Sequence, residues 1–278
     1  MGVVLPLVLI GIAAGFFSAL FGVGGGIVVV PVLASILHVP LRLAIGASMV
    51  AVVATSSAAA AVYIRDRLSN LRLGILLSMV TVVGALGGVL IGKVSPGSVV
   101  TGTFAGVLLV AAWAMYRRQR DRIAPPGSGG FLEKGLGLAG RFEDRATGQT
   151  VRYGVARTHL GMALMVIAGL VSGLLGVGGG IIQVPVMDLV MSVPIKAATA
   201  TSNFMMGITA AAGAVAYFAM GEVHPLIAAP VTVGVFAGSM LGARVMPRVR
   251  NSRLRHIFVA VLVLMAADMA YKAFTGGA

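Results

Sequence analysis

The chain has 278 residues, of which 58% are hydrophobic and 10% charged, and its mean hydropathy is +1.01. A soluble domain carries roughly a quarter charged residues, so this composition excludes an ordinary water-soluble fold and points to membrane-spanning helices of about 20 residues each. The lack of cysteine excludes disulfides, thiolate chemistry and Cys-ligated metal, and the net charge of +13 collects at the ends of apolar spans, where the positive-inside rule accounts for it without a nucleic-acid partner.

In chain order the apolar spans fall at about 4–37, 43–64, 73–92, 98–116, 159–191, 197–220, 225–246 and 255–271. The first has neither a basic leading segment nor a small-residue cleavage site, so a membrane span is expected there and not a cleaved signal. The first and fifth spans are too long for a simple crossing, and each is broken by a glycine run, at Gly22 to Gly26 and at Gly176 to Gly180. Each reads as a crossing helix with an unwound centre or as a hairpin that enters and leaves by one face.

These two spans are copies of one another. Gly22-Val23-Gly24-Gly25-Gly26-Ile27, Val30-Pro31-Val32 and Val39-Pro40 recur 154 residues later, and positions 15–48 agree with their counterparts at 16 of 34 places. The register continues through Tyr63/Tyr217, Gly84/Gly238, Gly88/Gly242 and Phe104/Phe258. A chain built this way divides at 1–116, 117–157 and 158–278, two membrane repeats around one polar segment.

Counting Lys and Arg separates the two readings of the broken spans. With simple crossings throughout, the basic residues divide 13 to 8 between the faces; with two hairpins, residues 65–72, 117–157, 191–196 and 244–255 share a face and the division is 18 to 3. The second arrangement obeys the positive-inside rule better, and its odd number of crossings per half inverts one half relative to the other. The expected fold is an all-α polytopic membrane protein of two inverted repeats, each a Gly-broken re-entrant hairpin plus three transmembrane helices, with both termini outside. Within 117–157, alternation on either side of Asp144 to Gln149 predicts a small cytoplasmic β-hairpin.

In hydrocarbon, non-helical backbone persists only inside protein or against a cavity. A glycine break that opens a helix leaves free N–H groups and a positive dipole end, and nothing negative stands there in either copy. Gly24, Gly25 and Gly26 with Gly178, Gly179 and Gly180 therefore form a candidate anion site, with close helix packing as the alternative. Gly11/Gly15, Gly84/Gly88 and Gly238/Gly242 read as packing pairs. Neither run has the order of a nucleotide-binding loop. The aligned Ser48 and Ser202, with Thr201, Asn203 and Gln183, are candidate donors to an oxyanion, the alternative being bonds back to their own helices. Asp188, opposite Ala34, is the candidate for carrying a coupling proton. No cofactor is called for, no side-chain set has metal-ligand spacing, and no Ser/His/Asp set is placed for acyl transfer.

The block Gly15-xx-Ser18-x-Leu20-x-Gly22-Val23-Gly24-Gly25-Gly26 with Val30-Pro31, its second copy, and Ala200-Thr201-Ser202 resemble the TauE/SafE sulfite exporter family, also called the four-toluene sulfonate uptake permease family. The resemblance implies a secondary transporter of sulfur-containing anions such as sulfite, sulfonates or sulfoacetate, multi-pass in the cell inner membrane, working by alternating access. Copy one carries Ala47 and Met49 opposite Thr201 and Asn203, so polar contacts are expected to concentrate in copy two. An anion channel, a membrane-embedded sulfur-group enzyme and an assembly subunit are the rival readings, and homo-oligomerisation stays open.

Overall fold

The computed structural model describes residues 4–35, 37–117, 124–125, 133, 135–249 and 251–275. The first half contains α1 (Val4–Phe21), α2 (Gly26–Ser35), α3 (Leu41–Arg65), α4 (Leu71–Val94) and α5 (Gly97–Arg117). A two-stranded antiparallel sheet follows, β1 (Gly140–Asp144) and β2 (Gln149–Tyr153), pairing Gly140 with Tyr153 and Asp144 with Gln149 as the alternation predicts. The second half contains α6 (Thr158–Leu175), α7 (Gly180–Pro185) with a π turn over Val186–Val190, α8 (Ile195–Ala219), α9 (Pro225–Val245) and α10 (Asn251–Thr275). Among the described residues, six helices are long and apolar enough to cross a membrane. Val83, Leu90, Val110, Val215 and Val233 stand exposed on the outer surface, where lipid and not water is the favourable neighbour.

Glycine sets both the breaks and the packing. The last turns of α1 and α6 close with Gly22 N–H and Gly176 N–H donating to the carbonyls of Ser18 and Ser172, and both glycines are left-handed, at φ 68° and 72°. Pro40 and Pro194 then precede α3 and α8 in the same extended conformation, at ψ 133° and 138°. The small-residue pairs are packing pairs, as expected. Gly234, Gly238 and Gly242 lie against the backbones of Val8, Ile12 and Phe16, while Gly84 and Gly88 lie against those of Val166 and Leu170. In both contacts the residue numbers rise together, so α1 runs parallel to α9, and α6 parallel to α4. Each repeat's first helix is thus seated on the fourth helix of the other repeat.

The hydrogen bonds are duplicated along with the sequence. Tyr63 donates to the Ala19 carbonyl and Tyr217 to that of Gly173; Thr55 donates to Ala51 and Thr209 to Met205. Two groupings of loops define the two ends of the molecule. At one end Arg42 donates to the Lys93 carbonyl and faces Glu222 at 3.8 Å. At the other, Ala124 N–H donates to Ser192, Asn70 to the Leu138 carbonyl, and Lys196 to the Pro247 carbonyl and Asp144. The start and finish of the second broken span lie side by side, because Ala156 N–H donates to the Met191 carbonyl over 3.0 Å. That span is a hairpin.

Candidate functional site

The two glycine breaks meet at the centre of the protein, and every residue from Gly22 to Gly26 and from Gly176 to Gly180 is buried. A reciprocal pair of bonds joins them. Ser48 donates to the Gly176 carbonyl over 2.6 Å, and its counterpart Ser202 lies 2.9 Å from the Gly22 carbonyl. The serines therefore bind neither their own helices nor open space: each clamps the break of the opposite repeat. Approach is close enough that a Cβ at Gly26 would strike the Gly176 carbonyl and Val177, and one at Gly180 would strike the Gly22 carbonyl and Val23.

The backbone amides of Gly24, Gly25, Gly26, Gly178, Gly179 and Gly180 donate no hydrogen bond to any group among the described residues. Buried amides without a partner are rare because each costs about 1–3 kcal/mol, so amides gathered at two helix starts are a ready set of anion donors. Side chains add to the set unevenly. Ser202 Oγ lies 2.9 Å from the Gln183 amide as well as from the Gly22 carbonyl, and one hydroxyl hydrogen can serve only one of these acceptors. Gln183 Nε2 is buried without a partner and would sit 2.9 Å from a Cβ placed on Gly179. Ser172 also packs against Gly179, and its hydroxyl is buried and unpartnered. Copy two thus gathers Ser172, Gly179, Gln183 and Ser202 into one polar cluster. At the corresponding place in copy one stand Ser18, whose hydroxyl is likewise unpartnered, and the apolar Val29.

The other sequence candidates are distributed around this cluster. Asn203 donates to the carbonyls of Thr199 and Ala19, receives Ser56 on its own backbone carbonyl, and keeps an unpartnered, buried Oδ1. Thr201 lies apart: its hydroxyl accepts the Asn70 N–H at 2.9 Å and ties α8 to the loop between α3 and α4. Asp188 is buried in the π turn after α7, eight residues beyond Gly180, about 12 Å along a helical path. Ser18 and Ser172 are the residues that sequence reasoning did not single out as donors. Their signal was present, since one serine stands four residues before the first glycine of the break in both copies.

The family description Sulfite exporter TauE/SafE matches residues 7–269. The chain is 26% identical over 273 residues to a probable membrane transporter protein, YunE, of Bacillus subtilis, covering 96% of this chain and 97% of that protein. It is 24% identical over 251 residues to a second such protein of Bacillus subtilis, YdhB, covering 89% and 91%. A third, MamO of Magnetospirillum gryphiswaldense, is 30% identical over 159 residues, which span 54% of this chain and 24% of that larger protein. No solved structure matches the chain.

Proposed function

Because the chain belongs to the TauE/SafE sulfite exporter family of membrane transporters, we propose that it carries sulfur-containing oxyanions such as sulfite or sulfoacetate across the cell inner membrane. The observation that carries this reading is the meeting of the two breaks: backbone amides from both repeats without a partner among the described residues, with Gln183 and Ser172, gather in one buried place. An oxyanion satisfies several such donors at once, and hydrogen bonds to a charged partner are the stronger kind. Because the serine clamp crosses between repeats, parting the halves would free Ser48 and Ser202 for the guest as it uncovers the amides.

The same contacts support two inverted repeats that rock about a shared site. The ends that carry Asn70, Ala124, Leu138, Ser192, Lys196 and Pro247 lie together, and their segments belong to the set that collects 18 of the 21 basic residues on one face, which we take as cytoplasmic. A cysteine at position 248 labelled from outside intact cells would contradict that orientation. Asp188, buried near this face, is the residue we assign to proton coupling, and its replacement by Asn should remove the dependence of transport on a pH gradient.

Counterflow in proteoliposomes tests the function. Protein preloaded with unlabelled sulfite should accumulate labelled sulfite transiently, and a panel of sulfonates and carboxylates should rank as competitors. A standing conductance without counterflow would replace the carrier by a channel. No exchange of any sulfur oxyanion would end this reading.

A further inference from the structure

Arg42 and Lys196 occupy the same place in the two repeats, 154 residues apart, and so do the carbonyls they bind, Lys93 and Pro247. Their surroundings differ. Arg42 is half exposed at the mouth of a cavity of about 460 Å³, whose lining includes Lys93, Ile45, Leu174 and Tyr217. Ile45 packs directly on Gly176, so a single side chain separates this vestibule from the second glycine break. The counterparts of those lining residues, Pro247, Thr199, Leu20 and Tyr63, are all buried, and so is Lys196 itself. Thr199 packs on Gly22 just as Ile45 does on Gly176.

At this place in the second repeat the β-hairpin insert reaches Lys196. Asp144, the last residue of β1, places a carboxylate oxygen 2.6 Å from Lys196 Nζ with both side chains almost wholly buried. The hairpin is moored beside it by Arg145 to Asp66 at 3.2 Å and by Asn70 to the Leu138 carbonyl at 2.7 Å. Its Tyr153 is buried, which pushes the phenol up to about 12 and keeps it neutral. A buried ion pair of this kind contributes little net stability, since desolvation offsets most of the attraction. It does fill a cationic place with an anionic group.

We propose that the hairpin is a plug over the inner vestibule, and that the Asp144 carboxylate holds Lys196 in the place where a departing or arriving oxyanion would bind it. Lys196 is then the inner anion-receiving residue, and the anion competes with Asp144 to lift the plug. This rests on the anion-transport reading above, and the test separates the two. Thr199→Cys adds a single thiol under the plug in a chain that otherwise has none. In inside-out vesicles without any anion substrate, a membrane-impermeant thiol reagent should label it slowly, and Asp144→Asn should speed labelling about tenfold by weakening a charged hydrogen bond. Unchanged labelling in folded Asp144→Asn protein overturns the plug. If that variant does not fold, the paired change Lys196→Met with Asp144→Leu replaces the ion pair by apolar groups that such sites tolerate. It should fold, keep Thr199→Cys protected, and lose sulfite exchange at least about tenfold; intact exchange overturns the role of Lys196. Faster labelling in Asp144→Asn with no sulfite exchange in the unaltered chain would leave the plug standing and remove the anion reading instead.

Discussion

The two glycine breaks enter along the same backbone path, diverge at Gly25 and Gly179, and offer a guest different things. Gly22 and Gly24 in the first, and Gly176 and Gly178 in the second, are left-handed, but only the second break carries that conformation on to Gly179, at φ 82°. Beyond the break the first copy has Val29, Ala34, Ala47 and Met49 where the second has Gln183, Asp188, Thr201 and Asn203. What both copies keep is the serine that reaches across to the other. Duplication has preserved the clamp between the halves while the polar side chains have collected in one of them, so the anion site we propose leans on the second break, with the first as its wall.

The largest expected effect falls where the breaks touch, and it should be equal in both copies. Gly26→Ala and Gly180→Ala each drive a Cβ into backbone of the opposite repeat, which no side-chain rotation relieves. Each should cost about 3 kcal/mol or more and sharply lower the yield of monodisperse protein in detergent. If only one did so, the close contact would not be shared.

The next pair separates the copies. Gly179→Ala forces a side chain into a left-handed conformation, at roughly 1–2 kcal/mol, and pushes on Gln183. Gly25→Ala meets Thr55 Oγ1 at 3.2 Å without a left-handed backbone and should fold almost normally. Sulfite exchange per folded molecule should fall much further in Gly179→Ala, and equal losses would make the two breaks equal partners in binding. Removing the clamps is a smaller change. Ser48→Ala and Ser202→Ala should each lower the thermal midpoint by the equivalent of about 1–3 kcal/mol, since each loses one buried hydroxyl donor. Smallest is Thr201→Val, which loses only the Asn70 N–H contact: stability should drop by about 1 kcal/mol with anion affinity unchanged.

The fold was legible where the chain's chemistry admits one solution. Glycine runs inside apolar spans too long to cross once, and the placement of basic residues, anticipate the hairpin that the Ala156 to Met191 bond closes. Alternation around Asp144 to Gln149 anticipates the strands. The clamp was not legible, because which carbonyl Ser48 or Ser202 meets depends on how two halves pack. Thr201 and Ser202 are neighbours in sequence yet stand about 100° apart on a helix, so one faces a loop and the other the break. Lys196 counted as one more basic residue on the charged face, and its burial follows only from an insert folding back over it.

Gln183 gives the most direct test of the claim that the second break holds the anion. It is fully buried, and its Nε2 has no partner among the described residues. Gln183→Met keeps the volume, removes the unsatisfied Nε2 and leaves the Ser202 hydroxyl the Gly22 carbonyl as its acceptor, so the thermal midpoint should stay close to that of the unaltered chain. The measurement is the concentration dependence of sulfite counterflow through purified, reconstituted Gln183→Met alongside the unaltered chain. Loss of a hydrogen bond to a charged ligand should raise the half-saturating concentration about ten- to a hundredfold with the thermal midpoint preserved. An unchanged half-saturating concentration in a stable protein would contradict the account, and would place the anion away from the second glycine break.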